Sequence, residues 1–484
     1  MKKTLLALAV AAALTSPAYA AKNVILMISD GASWGAWDAG NYYTYGSNAG
    51  TVYSDFTVKL GMTTTPLNTS STPTMNTNAL VSYDPSKAWS TTPTATGNAN
   101  GPFSGYDYIA KNVTDSAAAG TAIASGQKSY NNAINWSNMN EALPYITQMA
   151  SAQGKATGVV SSVQFNHATP ASFGAQDPSR NNYTAIANEM INNPSLNLVM
   201  GTGHPMYNAN GQSQTASYNY ITQTDYNSLS SGNAGWQYIE TKTQFENLAA
   251  GGTVLAEGER LFGMAQNNST LQQGRSAGTA QITGVPTLET MTTGALNALS
   301  GDKDGMFVMI EGGAVDWAAH ANQKDRLVEE QHDFNKSVEA VKSWVQQNSS
   351  WEETLLIVTT DHGNASPMGL GSDTVAFQGV ANNGQGVMPD FRFWGGNHKN
   401  EIVPLYAMGA GADDLLMHVE GSDAGFNQYV NTDGRFGNGS YVSNDDLFKT
   451  MNAAIAPVPE PSSIAMLLAG LGMLGMVARR RRAA

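Results

Sequence analysis

The amino-acid sequence predicts a doubly wound, mostly parallel α/β sheet with helices on both faces. Short apolar runs that read as buried strands, Val24 to Ile28, Met306 to Ile310 and Thr354 to Thr360, alternate with segments of helical periodicity, the pattern of a parallel sheet covered on both sides. Hydrophobic residues make up 42% of the 484 positions, ample for a large core. Each run also ends in an acidic residue beside glycine: Asp30-Gly31, Glu311-Gly312 and Asp361-His362-Gly363. Open α/β sheets bind ligands at the carboxyl ends of their strands, so these three ends are where chemistry is expected.

In chain order, Lys2 and Lys3 precede an apolar run from Leu5 to Leu14 and a small-residue pattern, Ala18-Tyr19-Ala20. This reads as a signal peptide over residues 1–20, cleaved by signal peptidase, with a catalytic domain expected over 21–455. After the first strand, Leu143 to Ala152 reads as a helix and Thr157 to Val163 as a β-branched strand. Thr287 to Leu299 is helical, and Leu327, Phe334, Val338, Val341 and Val345 recur at helical spacing before the third strand. Two stretches, about 66–105 and 208–252, are rich in Thr, Ser, Asn and Gly and are expected as polar surface insertions.

The last segment, 456–484, places Val458-Pro459-Glu460-Pro461 before an apolar stretch, Ile464 to Ala478, and four arginines, Arg479 to Arg482. This order resembles the PEP-CTERM sorting tail of Gram-negative bacteria, which implies exosortase processing and export to the periplasm, outer surface or extracellular matrix. The plain alternative is a membrane anchor, although fifteen apolar residues fall short of the ~20 that span a bilayer. There are no cysteines and the formal charge is −13. Disulfides are therefore excluded, and so acidic a chain does not read as a nucleic-acid-binding module.

A lone Asp at a strand end commonly caps a helix. Three such ends at one sheet edge instead ask for cations, because several buried carboxylates do not ionise together unaided. Asp316 and His320 are four apart, on one face of a helix directly after Glu311. His398, in a Gly-rich loop, can complete that group. Carboxylate and imidazole without thiolate suit zinc in an open hydrolytic site. Asp115-Ser116 opens a helix of small residues, Ala117 to Gly126, which places the Ser116 hydroxyl at a helix N-terminus suited to an incoming phosphate. No Gly-x-Ser-x-Gly elbow surrounds it, so activation by metal rather than by a histidine base is expected.

Asp115-Ser116-Ala-Ala-Ala-Gly-Thr121-Ala is similar to the active-site signature of the alkaline phosphatase family, and the other motifs follow in that family's order from about Asn23 to about Ile455. The resemblance implies two Zn2+ and one Mg2+. Asp316, His320 and His398 would hold one zinc; Asp361, His362 and Asp30 would hold the second beside Ser116. Asp30 would bridge to a magnesium shared with Thr169 and Glu311, with His167 standing where some members carry Asp. Arg180 occupies the position of the phosphate-binding arginine. Asn364 departs from the family pattern, since many relatives carry a supporting His there.

The resemblance implies a phosphate monoester hydrolase working through a phosphoserine at alkaline pH. A phosphodiesterase or nucleotide pyrophosphatase of the same superfamily, or a non-catalytic surface or matrix-binding protein, are the alternatives, and a homodimer is left open.

Overall fold

The computed structural model describes residues 20–89, 93–98, 101–372 and 377–456. The signal segment through residue 19 and the sorting segment from residue 457 lie outside them.

Eleven strands form the main sheet: β1 (Asn23–Ser29), β2 (Val58–Thr63), β3 (Ala156–Gln164), β4 (Leu198–Thr202), β5 (Gln237–Ile239), β6 (Leu261–Met264), β7 (Met306–Gly312), β8 (Thr354–Thr359), β9 (Val403–Gly409), β10 (Gly421–Ser422) and β11 (Ser440–Ser443). Their order is β10-β11-β2-β9-β8-β1-β7-β3-β4-β6-β5. From β8 through β5 every neighbouring pair is parallel. β9 runs antiparallel between β8 and β2, so the sheet is mixed but mostly parallel.

Flanking helices include α1 (Trp34–Tyr45), α2 (Ser116–Ser125), α3 (Ala168–Ser172), α4 (Leu288–Leu299), α5 (Ala314–His320), α6 (Lys324–Asn348) and α7 (Asp446–Ile455). Successive strand residues point to opposite faces. Ile25, Met27, Val308, Ile310 and Leu356 therefore pack with α1, α4 and α6. Val24, Leu26, Ile28, Phe307, Met309 and Leu355 pack with α2 and α7. Both faces are dry, which is why these strands read as continuous apolar runs.

Two elements differ from expectation. The helix expected from Leu143 begins at Ile146; Pro144 biases the residue before it away from helical backbone. The segment 208–252, expected as a surface insertion, contributes β5 to the sheet edge and buries Leu229, Trp236, Phe245 and Leu248. Its apolar residues are few, but they are spaced to meet the edge of an existing core, which average composition does not reveal.

Candidate active site

Four adjacent parallel strands, β8, β1, β7 and β3, end at one edge of the sheet and carry most of the candidate residues. Asp30 follows β1, Glu311 lies at the end of β7, Asp361 and His362 follow β8, and His167 and Thr169 lie just past β3. α5 starts immediately after β7 and brings in Asp316 and His320. Gly31, at φ 69°, lets this turn pass so close to α5 that a Cβ would lie 2.4 Å from Asp316 Oδ1. His398 arrives from a two-residue strand, His398–Lys399, paired to Gly363–Asn364.

The donor atoms converge in three groups: Asp316, His320 and His398; Asp30, Asp361 and His362; and Asp30, His167 and Glu311. In the first, His320 Nδ1 lies 2.7 Å from the Gly396 carbonyl and His398 Nδ1 lies 2.8 Å from that of Thr114. A carbonyl only accepts, so each ring carries its proton on Nδ1 and turns a lone pair at Nε2 toward the site. The two Nε2 atoms face each other at 3.0 Å, each 3.4 Å from an Asp316 carboxylate oxygen. Lone pairs and a carboxylate so arranged are reconciled by a cation, and tautomers held by carbonyls are the usual support of metal-ligating histidines.

In the second group, Asp30 Oδ1 and Asp361 Oδ2 are buried without a hydrogen-bond donor and lie 3.6 Å and 3.1 Å from His362 Nε2. In the third, Glu311 Oε1 and His167 Nδ1 are likewise buried and unpartnered. Ser161 donates to Glu311 Oε2, and the Thr169 hydroxyl donates to Asp30 Oδ2 at 3.3 Å. Burial and mutual repulsion push Asp30 well above the carboxylate range, and burial pushes Glu311 to about 7 and Asp361 to about 6. Burial also depresses His167 to about 3 and His362 well below the imidazole range. Neutral imidazoles and carboxylates that resist ionising together are what metal ligands look like before their counter-charge is counted. The residues present therefore fit a cation at each of the three groups, with carboxylate and imidazole donors of the kind a hydrolytic metal takes.

Ser116 is the first residue of α2 and is 1% exposed. Asp115 caps the helix, accepting from Ala118 N at 2.9 Å. The Ser116 hydroxyl lies 3.2 Å from His362 Nε2, beside the second group. Asp115 also accepts from Arg180 Nη1 at 3.0 Å, while Arg180 Nη2 donates to His167 Nε2 at 3.2 Å. A cavity of about 900 Å³ opens over these groups, lined among others by Ser116, Arg180, Asp316, Trp317, His320 and His398.

Of the eleven expected site residues, Ser116, His167, Arg180, Asp316, His320 and His398 line this cavity; Asp30, Thr169, Glu311, Asp361 and His362 are fully buried and join it through the contacts above. Asn364 does hydrogen-bond at its departing position, donating to Asp316 Oδ1 at 2.7 Å. The sequence reading missed the Asp115 grip on Arg180 and the Ser161 contact to Glu311. Ser161-Ser162, between Val160 and Val163 in a buried strand, is the sequence signal for the latter.

Fold and site together define a class, an α/β sandwich protein with three cation-seeking donor groups around a serine and an arginine. The chain belongs to the alkaline phosphatase family, whose profile matches residues 21–433. A PEP-CTERM protein-sorting motif matches residues 457–482 and marks the chain for export in a Gram-negative bacterium. The chain is 30% identical over 256 residues to alkaline phosphatase 4 of Bacillus subtilis, covering 52% of this chain and 49% of that protein. It therefore spans about half the length of the curated relatives it matches. The fold is similar to alkaline phosphatase from the Antarctic bacterium TAB5, with TM-score 0.59 and 22% identity over 90% of this chain and all of that one. A cold-active alkaline phosphatase from a psychrophilic Shewanella gives TM-score 0.60 and 20% identity at the same coverage.

Proposed function

We propose that this chain is an exported, metal-dependent phosphate monoester hydrolase that works through a phosphoserine at Ser116. The observation that carries the reading is the Ser116 hydroxyl at a helix N-terminus, 3.2 Å from His362 Nε2 and within one cleft with Arg180. The Arg180 fork offers planar donors matched to two oxygens of a phosphate dianion. The N-terminus of α2, where Ser116 sits, favours the same anion through its dipole. Ser116 Oγ attacks phosphorus as its proton passes to solvent; an Oγ–P bond forms, the ester P–O bond breaks, and the leaving alkoxide takes up a proton. Water then cleaves the phosphoserine and releases inorganic phosphate.

Bound zinc and magnesium would supply Lewis-acid charge at Asp316, His320 and His398, at Asp30, Asp361 and His362, and at Asp30, Thr169, Glu311 and His167. Variants of the TAB5 enzyme in which a histidine is replaced by Glu or Asp are described with Mg bound in their M3 site; the third group here keeps an imidazole, His167, beside its two carboxylates. With no residue of neutral pKa needed as base, the rate rises toward alkaline pH. The sorting motif supports exosortase as processing partner and the cell surface or matrix as destination.

The test pairs metal analysis with turnover of p-nitrophenyl phosphate and its bis ester. About two zinc per chain, preference for the monoester, and a fall in kcat of about a thousandfold or more in Ser116→Ala are expected. Near-full activity of that variant sinks the nucleophile, preference for the bis ester points to a phosphodiesterase, and a metal-free protein points to a binding role.

A further inference from the structure

We propose that Glu401, acting through Ser33, is a positioning residue that braces both candidate zinc groups at once. Glu401 is 3% exposed and lies outside every donor group. Its Oε1 accepts from the Ser33 hydroxyl at 2.5 Å. Ser33 Oγ in turn accepts from Asn364 N at 2.9 Å and lies 2.9 Å from the Asn364 carbonyl. Asn364 then donates through Nδ2 to Asp316 Oδ1 at 2.7 Å. A continuous path of short contacts runs from a buried carboxylate to a ligand of the first group.

The same contacts reach the second group. Ser33 caps α1, three residues after Asp30, in a turn whose Gly31 N donates to Asp361 Oδ1 at 3.1 Å and whose Ala32 N donates to Thr360 Oγ1 at 3.0 Å. Glu401 itself follows the strand pair that sets Asn364 opposite His398 and stacks the His398 ring on His362 with centroids 3.6 Å apart. Three ligand-bearing segments, at 30–33, 361–364 and 398–401, therefore meet on one hydroxyl and one carboxylate, and Asp316 is joined to them through Asn364.

Two further observations indicate that this junction is built rather than incidental. A Cβ on Gly363 would stand 2.0 Å from Glu401 Oε1, so the carboxylate occupies space that only glycine leaves. Directly after Asn364, Ala365 and Ser366 adopt φ values of 55° and 45°. Non-glycine residues hold such backbone only where their surroundings over-determine it, and here Ala365 is tied by its N to Asn397 O and by its O to Trp394 N.

The inference rests on Asp316, His320 and His398 holding zinc. Zinc affinity of the full chain is measured by competition with a chromophoric chelator, and the visible spectrum of the cobalt(II)-substituted protein reports ligand geometry. Ser33→Ala and Asn364→Ala are each expected to weaken zinc binding about tenfold or more and to alter the cobalt spectrum. The double variant should lose no more than the worse single one, because both break one path. Glu401→Gln, which keeps an acceptor for Ser33, should bind like wild type, whereas Glu401→Ala should resemble Ser33→Ala. Melting of the metal-free proteins identifies any variant that does not fold, and the Glu401 pair then carries the comparison. Wild-type zinc affinity and cobalt spectra in Ser33→Ala and Glu401→Ala overturn the brace alone; a wild-type chain that binds no zinc overturns the functional reading beneath it.

Discussion

Arg180 shows how much of this site depends on a single side chain. Its guanidinium is held from one side by Asp115 and rests against His167 on the other, so the fork is oriented before any anion arrives. A pre-oriented clamp loses less freedom on binding, and a lysine, being a point charge, cannot reproduce it. Arg180→Ala is expected to lower kcat/KM for p-nitrophenyl phosphate by about a hundredfold, with weaker inhibition by inorganic phosphate. Arg180→Lys should recover only part of that loss. Equal kcat/KM in wild type and both variants would remove Arg180 from phosphate binding.

At the scale of elements, α2 is closely held by its neighbours. All ten of its residues are buried, and its small side chains let it lie close against α3, which carries Thr169. A Cβ on Gly120 would sit 2.6 Å from Ser172 Oγ and 3.0 Å from its Cβ, so the Ser172 side chain must turn away or the helices must give. Gly120→Val is expected to destabilise the fold by about 1–3 kcal/mol, read as a lower midpoint in denaturant. Gly120→Ala should cost less. If neither shifts the midpoint, the helices are not packed at the closeness described. The strand pairings act in the same way: the register that sets Ser161 opposite Glu311 is the one that lets its hydroxyl reach the carboxylate.

The whole molecule carries Asp30, Glu311 and Asp361 fully buried beside one another, and its stability should follow its metals and pH. A bound ion at a hundredfold excess over its dissociation constant adds ~2.7 kcal/mol, and for a large domain each kcal/mol is worth ~2 °C. Chelation by EDTA is therefore expected to lower Tm by about 5 °C or more, and readdition of zinc and magnesium to restore it. An unchanged melting curve would show that the carboxylate groups are satisfied without cations.

Glu330 tests the same logic away from the site. Burial, with repulsion from Asp333 and Glu329 beyond it, raises this carboxyl from 4.5 to about 8. Its folded form keeps a proton that the unfolded chain releases, so its contribution to stability is complete below pH 4.5 and is lost as pH rises toward 8. Glu330→Gln should accordingly gain Tm relative to wild type at pH 8 compared with pH 5, with metals saturating at both. The same Tm difference at the two pH values would contradict the assignment.

The parallel core and the candidate residues at its edge can be read directly from the chain. Buried parallel strands must be apolar throughout, and the residue after each strand is named by the chain itself, so Asp30, Glu311 and Asp361-His362 were legible without any coordinate. Asp316 and His320 were legible because helical spacing is local, and Ser116 because a cap and its helix are contiguous. Composition hid the edge strand β5, since packing depends on where a few apolar residues fall.

Only the folded chain makes β8, β1, β7 and β3 neighbours, and so brings carboxylates hundreds of residues apart into one site. It also decided which atoms lack a partner, that Asp115 grips Arg180, and that Glu401 and Ser33 stand behind the ligands. Those relations join segments by distance through space, which no periodicity along the chain encodes.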